Sequence, residues 1–349
     1  MFVLPQPKVS VLMSVYNGED YLHQAVNSIL NQTLSDFEFI IVDDASTDRT
    51  PQLLKDFRDQ DQRIRLIHNK KNLGLTSSLN KAILESKGEY VARQDVDDVS
   101  LPQRLASQVH YLDRNDKIGV VGTWVIYIDQ QGNQKGIWQP HTSPEIVKWS
   151  LFFHNPIAHP SVILRRSLIK ENDVYNPELK FSQDYDLWVR LSEKTKLANL
   201  PRVLIFRRLH KGMITAKYSR QQCLVHIKIL EKLINKIFRL NVPRELVENF
   251  YFASQGRLQE TKEKFLAVVS FIEDLYRSYI SKNLLEDFNR RQIKEDVGYR
   301  IVKLAIKHLS YYPQNACFAM LHSFRYNWHF IPRSYFKKAI RRRMFKIRG

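Results

Sequence analysis

Short apolar runs alternate with segments of helical periodicity over the first hundred residues of the chain. The runs lie at residues 8–15, 37–42, 64–67 and 89–92. Between them, apolar residues recur with a period of about 3.6. This alternation predicts an α/β fold with a parallel sheet and crossover helices. In such a sheet every strand brings its trailing residues to one edge, where ligands bind.

A polar or acidic cluster follows each of these runs. The clusters are Tyr16-Asn17-Gly18, Asp43-Asp44-Ala45-Ser46, His68-Asn69 continuing to Asn72, and Asp95-Val96-Asp97-Asp98. Because the predicted strands end at one edge, we expect the four clusters to meet in space. The last cluster has acidic side chains on alternate residues, which suits a divalent metal ion that holds a phosphate.

The pattern changes along the rest of the chain. The predicted elements are a strand at 118–128, a helix at 144–152, an extended stretch at 161–164, a helix at 184–192 and a strand at 198–206. Further helices are predicted at 221–240, 243–255, 261–281, 284–309 and 313–324. The change from mixed to purely helical periodicity predicts a domain boundary between residues 215 and 216.

The charge is distributed unevenly between these two parts. The whole chain has a formal net charge of +18. Residues 1–215 contain 27 Lys and Arg against 25 Asp and Glu, whereas residues 216–349 contain 27 against 11. A near-neutral first domain joined to a basic helical domain is the simplest interpretation.

Cysteine content and hydrophobicity bear on the location of the protein. Cys223 and Cys317 are the two cysteines of the chain, so a disulfide framework is not expected and a reducing compartment is favoured. The first ten residues lack the charged-then-apolar pattern of a signal peptide, and no stretch approaches the ~18 apolar residues of a membrane-spanning helix. These features predict a cytoplasmic protein.

Asp95 and Asp97 are candidate metal ligands. Carboxylates two residues apart at a strand end point to the same side, and Mg²⁺ or Mn²⁺ takes one or two carboxylates together with substrate phosphates. Such an ion stabilises a nucleotide diphosphate as a leaving group. The alternative is a solvated turn that caps the next helix, and an isolated Asp-x-Asp favours that alternative. Its place after the fourth predicted strand favours the metal site.

Three further side chains are candidates for binding or catalysis. Asp43 follows a very apolar run and can accept a hydrogen bond from a nucleobase or a ribose, while residues 44–48 suit a turn and a helix cap. Asp184 lies at a predicted helix start, where it could act as a general base or only cap the helix. His210 could contact a metal ion or a phosphate, or could be an ordinary surface histidine.

Six segments together resemble the family 2 glycosyltransferases. They are Val9–Tyr21, Phe39–Asp48, Asn72–Asn80, Gly88–Leu112, Gln183–Leu191 and Arg208–Thr215. Their order and spacing over residues 7–215 make the resemblance more specific than any single motif. It implies the GT-A fold, a nucleotide-sugar donor, commonly a UDP-sugar, and inversion of configuration at the transferred sugar. Residues 216–349 lie outside the resemblance.

The resemblance also implies roles for individual residues. The positions that would bind the nucleotide are Val15, Tyr16, Asn17, Asp43, Asn72 and Asp95. Asp97 would be the direct metal ligand, and His210 would bind the metal ion or face the diphosphate. Asp184 would deprotonate an acceptor hydroxyl, which then attacks the sugar from the face opposite the departing nucleotide. His159 falls where the acceptor side is usually built, and a buried structural histidine is an equal alternative.

Two positions depart from the family pattern. Gln183 replaces the usual acid before the base, and the loss of one negative charge predicts a lowered pKa for Asp184. Leu79 stands where many relatives have arginine. Arg93, two residues before Asp95, could supply that positive charge to the phosphates.

The C-terminal segment at residues 332–348 is basic and amphipathic. Phe336, Ile340, Met344 and Ile347 recur at helical spacing among lysines and arginines. Such a helix suits peripheral contact with an anionic membrane, here the inner face of the plasma membrane, where a lipid-linked acceptor would lie. A terminal helix packed on its own domain is an equal alternative. Nucleic acid is not expected as a partner, because no recognised nucleic-acid module is present.

The predicted function is therefore metal-assisted, inverting sugar transfer from a nucleotide sugar to a hydroxyl of a glycan or lipid-linked acceptor. A catalytically degenerate, nucleotide-sugar-binding subunit of a membrane-associated polysaccharide assembly complex is the non-enzymatic alternative. Nucleotidyl transfer to a sugar phosphate needs a basic, glycine-rich loop after the first strand. Residues 16–20 are acidic instead.

Overall fold

The structure, a computed structural model, describes residues 6–169, 174–210, 212–213, 219–256, 261–308, 313–323 and 325–326. The chain divides into two compact units, one made of residues 1–151 and 155–226 and the other of residues 152–154 and 227–349. The division thus lies later along the chain than the boundary predicted after Thr215. The separate roles predicted for the two domains stay predictions.

Nine strands in the described part of the first unit form one sheet. They are β1 (Val9–Val15), β2 (Phe37–Asp43), β3 (Ile64–His68), β4 (Tyr90–Arg93), β5 (Val99–Ser100), β6 (Ile118–Ile128), β7 (Gln134–Trp138), β8 (Ile163–Arg165) and β9 (Lys196–Arg208). The strand order is β3-β2-β1-β4-β8-β6-β9-β5, with β7 paired to β6. The intervening helices are α1 (Glu19–Leu30), α2 (Thr50–Gln60), α3 (Leu75–Leu84), α4 (Arg104–Asp113), α5 (Pro144–Ser150) and α6 (Gln183–Leu191). The α/β fold class is confirmed.

The first four strands are parallel, as their alternation with helices predicts. β1 pairs in parallel with both β2 and β4, and β2 pairs in parallel with β3. Every residue of β2 is buried, because helices cover both faces of this part of the sheet. On α1 the buried residues Leu22, Ala25, Val26 and Ile29 recur at helical spacing and belong to the core that also contains β1 and β2.

The sheet beyond β4 is mixed rather than parallel. β8 lies antiparallel to both β4 and β6, whereas β6 and β9 are parallel to each other. β5 and β7, which the sequence pattern did not predict, add antiparallel pairs to β9 and β6. β5 has two residues and the first four residues of β7 are exposed, so neither carries the apolar alternation that predicts a strand.

The second unit is helical in its described residues, as predicted. Its helices are α7 (Ser219–Phe238), which begins in the first unit, α8 (Arg244–Ser254), α9 (Lys262–Lys282), α10 (Asp287–His308) and α11 (Pro313–Ser323). Phe250 packs against Phe153 and Phe271, with ring centroids 5.3 and 5.2 Å away. Among the described residues, no helix is both long enough and apolar enough to span a membrane. The amphipathic segment predicted at 332–348 lies outside the described residues.

Candidate active site

The clusters that follow the first four strands meet at one edge of the sheet, as predicted. The N–H of Asp44 donates to the carbonyl of Val15 over 2.8 Å, which joins the chain after β2 to the end of β1. On the other side of β1, the N–H of Gln94 donates to the carbonyl of Leu12 over 3.0 Å. These bonds bring the clusters after β2 and β4 to either side of β1.

Asn17 ties the first cluster to the second. Its backbone is left-handed, with φ of 50°, a conformation that asparagine adopts more readily than most residues. Its side-chain oxygen accepts the N–H of Thr47 at 2.8 Å, and its own N–H donates to the Ser46 hydroxyl at 3.0 Å. Val15 is buried, whereas Tyr16 is 50% exposed. Tyr16 is therefore open to a ligand.

The adjacent Asp43 and Asp44 have different partners. The Asp44 carboxylate accepts the N–H groups of Leu73 and Gly74, each at 2.8 Å, and so holds the loop that leads into α3. The Oδ2 atom of Asp43 lies 3.3 Å from Nδ1 of His68 at the end of β3. Asp44 is thus structural, and Asp43 lies at the sheet edge where a nucleotide is expected.

Asn72 lies on the loop that Asp44 holds. Its side chain is exposed, and its oxygen accepts the N–H of Gly74 at 3.1 Å. Gly74 has a φ of 83°, which favours glycine. This turn keeps Asn72 beside the second cluster.

Three carboxylates come together in the turn after β4. Asp95, Asp97 and Asp98 each offer an oxygen atom within 4.8 Å of the other two, so Asp98 joins the predicted pair. His210 reaches the same cluster, with its Nε2 2.8 Å from Oδ2 of Asp97. Asp98 is buried, and its Oδ2 has no hydrogen-bond partner among the described residues.

The electrostatics of this cluster fit a divalent cation. Burial and the negative charges of Asp97 and Asp95 raise the pKa of the Asp98 carboxyl well above its usual value. Burial acts in the same direction on Asp95, but the charges of Arg93 and Arg207 and the hydrogen bond from Arg93 outweigh it, so the pKa of Asp95 is lowered. A cation would offset the mutual repulsion and occupy the free oxygen of Asp98. Carboxylate oxygens are the ligands that Mg²⁺ and Mn²⁺ prefer.

Buried polar side chains hold the acidic turn in place. Gln94 donates to the carbonyls of Asp95 and Asp98 at 3.0 and 2.8 Å. Arg104, on α4, donates to Oε1 of Gln94 at 3.1 Å, and burial lowers its pKa to about 9. From β9, the N–H of Arg208 donates to Oδ1 of Asp98 at 2.9 Å. These hydrogen bonds fix the conformation of the turn within the fold.

The sequence analysis missed these supporting residues. The sequence of α4 contains one signal that could have identified such residues. Arg104 and Gln108 lie on the same helix face as three apolar residues, and all five are buried: Arg104, Leu105, Gln108, Val109 and Leu112. A polar side chain on an apolar helix face needs a buried partner.

Asp184 lies in the first turn of α6, as predicted, and its carboxylate is held at both oxygens. Oδ1 accepts the N–H of Tyr185 at 2.9 Å, and Oδ2 accepts Nδ2 of Asn155 at 2.7 Å. The oxygen of the Asn155 amide accepts the N–H of Ile157 at 3.2 Å, which orients its NH₂ group toward the acid. Asn155 is a functional candidate that the sequence analysis missed.

The predicted direction of the Asp184 pKa is wrong. Replacement of the usual neighbouring acid by Gln183 removes one repulsive charge, which predicts a lowered pKa. Burial instead raises the pKa of the carboxyl, and the bonds from Tyr185 and Asn155 and the charge of Arg207 offset only part of that effect. Desolvation is the larger effect because the carboxylate lies inside the fold.

His159 is buried and neutral. Its Nε2 lies 2.7 Å from the hydroxyl of Tyr175, and its ring packs edge-on against Tyr175 and Trp188. Burial and the charge of Arg93 lower the pKa of His159 to about 3. Of the two alternatives for this residue, the structural one fits these contacts.

Arg93 lies behind Asp95 rather than in the open. Its guanidinium contacts the Asp95 carboxylate and donates to the carbonyl of Gln94, and its side chain is 4% exposed. Leu79 is fully buried in α3. Direct contact between Arg93 and a substrate phosphate stays a prediction.

Comparison with known proteins agrees with this arrangement. The sequence profile of Glycosyl transferase family 2 matches residues 10–172. An uncharacterized glycosyltransferase of Haemophilus influenzae is 33% identical over 225 residues, which cover 62% of this chain and 70% of that protein. The O-antigen biosynthesis glycosyltransferase WbnJ of Escherichia coli is 33% identical over 207 residues, which cover 58% of this chain and 80% of that protein.

Two solved structures share the fold at low sequence identity. Residues 1–349 of S. aureus TarS, in complex with UDP-GlcNAc, align over 91% of this chain and 89% of that chain, with a TM-score of 0.58 and 17% identity. The mannosyltransferase PcManGT of Pyrobaculum calidifontis, in complex with GDP-Man and Mn²⁺, aligns over 92% and 86%, with a TM-score of 0.51 and 16% identity. The first unit has the GT-A fold, and the chain belongs to glycosyltransferase family 2.

Proposed function

We propose that this glycosyltransferase is metal-assisted and inverting, and that it transfers a sugar from a nucleotide-diphosphate sugar, preferably a UDP-sugar, to a hydroxyl of a glycan or lipid-linked acceptor. One observation carries the proposal. The cluster of Asp95, Asp97 and Asp98 lies at the sheet edge beside Asp43, and Asp184 lies apart from the cluster with its carboxylate held by Asn155 and the Tyr185 N–H.

Different residues bind the two ends of the donor nucleotide: the sheet edge binds the nucleoside, and the acidic cluster binds the diphosphate. Tyr16 and Asp43 face the nucleoside, and Asp43 can accept a hydrogen bond from the base. Asp97 and Asp98 would hold a Mg²⁺ or Mn²⁺ ion, with Asp95 next to the ribose and the phosphates. When bound, the ion neutralises the diphosphate and makes it a better leaving group.

Asp184 supplies the proton acceptor for the reaction. Its carboxylate takes the proton of the acceptor hydroxyl, and the hydroxyl oxygen forms the new bond to the anomeric carbon. The bond between that carbon and the phosphate oxygen breaks, and its electron pair stays on the nucleotide diphosphate. Attack from the side opposite the leaving group inverts the configuration.

The relatives support the donor and acceptor classes without fixing them. TarS is solved with UDP-GlcNAc and PcManGT with GDP-Man and Mn²⁺, so nucleotide sugars of two bases occur on this fold. WbnJ is named for O-antigen biosynthesis, which agrees with a glycan or lipid-linked acceptor. The location at the inner face of the plasma membrane and the peripheral contact through residues 332–348 stay predictions.

Hydrolysis of nucleotide sugars without acceptor tests this function. Wild-type protein is incubated with UDP-, GDP- and dTDP-sugars in the presence of Mn²⁺, Mg²⁺ or EDTA, and free nucleotide diphosphate is measured. We expect slow release from one donor that stops in EDTA, and proton NMR of the released sugar should show inversion. Binding of a nucleotide sugar without release in any condition would support the degenerate subunit instead.

Replacing Asn155 with alanine is expected to move the acidic limb of the rate profile to higher pH. Asp184 acts only when it is ionised, and the Asn155 bond favours the ionised form, so its loss raises the pKa of Asp184 further. At pH values below the acidic limb, the variant should be about tenfold slower than the wild type. Rates of donor turnover with acceptor, measured from pH 5 to pH 9, show the shift.

Asn199 provides the control for this prediction. Its buried amide donates to the backbone carbonyls of His141 and Pro156 at 2.8 and 3.1 Å, so Asn199→Ala removes similar bonds without touching Asp184. The control should lower stability and leave the pH limb in place. An acidic limb at the same pH in Asn155→Ala and in the wild type would contradict a positioning role for Asn155.

A further inference from the structure

Arg207 lies on β9 next to the candidate site. In the parallel pairing of β6 and β9 it stands opposite Tyr127, and it is partly buried. Consecutive side chains of a strand point to opposite faces, so Arg207 and Arg208 serve different surroundings. The Arg208 guanidinium donates to the carbonyl of Asp97 at 3.1 Å and to Oε1 of Gln24 at 2.7 Å. Arg208 is therefore a structural residue.

The guanidinium of Arg207 makes no hydrogen bond or ion pair with any described residue. The three other arginines around the acidic turn are bonded: Arg93 to Asp95, Arg104 to Gln94, and Arg208 as described above. A guanidinium has five N–H donors in a planar fork that matches two oxygens of a phosphate. A partly buried guanidinium without a partner among the described residues is suited to bind a phosphate group.

Arg207 interacts electrostatically with two groups of acids. Its charge acts on Asp95 and Asp98 of the acidic turn and on Asp184 of α6. In return, although burial opposes it, these carboxylates and Tyr127 raise the pKa of Arg207, which stays a cation. The charge of its guanidinium therefore acts both on the acidic turn, where the metal ion is proposed, and on Asp184, the proposed base.

We propose that Arg207 binds the phosphate of the donor that is linked to the sugar. The inference rests on the proposed function, in which the bond between the sugar and that phosphate breaks between Asp184 and the acidic turn. As the electron pair moves onto the phosphate oxygen, two N–H groups of Arg207 stabilise the new negative charge. Arg207 thereby supplies the cation that Leu79 does not, and Arg93 keeps Asp95 in place.

Nucleotide binding measured by calorimetry tests the role of Arg207 without any turnover. UDP and UMP, and in parallel GDP and GMP, are titrated in Mn²⁺ into the wild type, Arg207→Gln and Arg207→Lys. We expect Arg207→Gln to weaken binding of the diphosphate by about 10- to 100-fold and of the monophosphate by less than about threefold. Lysine keeps the charge but not the fork, and should recover part of the loss.

Arg202 provides the matched control, since it lies exposed on the same strand and donates to the Ser107 hydroxyl at 3.2 Å. Arg202→Gln should leave both affinities unchanged. Equal losses of diphosphate and monophosphate binding in Arg207→Gln, or no loss of either, would overturn the role of Arg207 while the proposed function stands. Absence of nucleotide binding in the wild type would overturn both.

Discussion

Replacing Asp184 with asparagine is expected to lower the rate of sugar transfer by about 100- to 10,000-fold, the usual contribution of a general base. Asparagine has nearly the same shape and can still accept the N–H of Tyr185, so the start of α6 should stay in place. It cannot take a proton from the acceptor hydroxyl. The affinity for the nucleotide sugar should change by less than about threefold, because the proposed role of Asp184 is toward the acceptor and not toward the nucleotide.

The measurement combines steady-state rates with nucleotide titrations of the same protein samples. Asp186 lies on the same helix and pairs with Arg190 at 2.9 Å, so Asp186→Asn removes a carboxylate from α6 without touching the site. We expect that control to keep most of the wild-type rate. A near wild-type rate in Asp184→Asn would show that another group takes the proton, whereas inactivity of the wild type would favour the degenerate subunit.

Replacing Asp97 with alanine is expected to remove metal-dependent turnover of the donor. The substitution removes one carboxylate from the acidic turn, together with its 2.8 Å contact with Nε2 of His210. Mutation of residues that only hydrogen-bond to metal ligands costs up to about 100-fold in metal affinity or activity. Loss of a direct ligand should therefore reduce both metal affinity and rate by at least about 100-fold. Electron paramagnetic resonance of Mn²⁺ in the presence of UDP reports the first quantity, and hydrolysis of the donor reports the second.

The control for Asp97 is Asp129, which lies in the turn after β6. Its carboxylate pairs with Lys135 at 2.7 Å and belongs to a surface turn. Asp129→Asn should leave Mn²⁺ binding unchanged. Full activity of the wild type in EDTA, or unchanged Mn²⁺ binding in Asp97→Ala, would contradict a metal site in the acidic turn.

The strands and helices could be predicted because their signals are local. β1 to β4 are short apolar runs, and α1 to α4 have an apolar period of about 3.6 residues, so both can be recognised along the chain. The same parallel alternation places the clusters of Asp43 and Asp95 at one edge, so the sequence alone predicts where the candidate site lies. The mixed pairing beyond β4 has no such local signal.

The partners of the candidate residues could not be predicted in the same way. Asp184 and Asn155 lie 29 positions apart along the chain, and Asp97 and His210 lie 113 positions apart. The pKa of Asp184 was predicted with the wrong sign because sequence shows which charges are neighbours but not how much water the fold removes. Desolvation is a property of packing.

The sequence alone therefore determined the α/β class, the helical second part and the set of acids that could serve a glycosyltransferase. These follow from side-chain periodicity and from residue types at strand ends, which are encoded over short stretches. Only the tertiary structure decided that Asp98 joins the acidic cluster, that Arg93 is bonded to Asp95, and that the guanidinium of Arg207 has no partner among the described residues. Those outcomes depend on which side chains meet after the sheet has formed, and a hydrogen bond exists only between atoms that packing brings within about 3 Å.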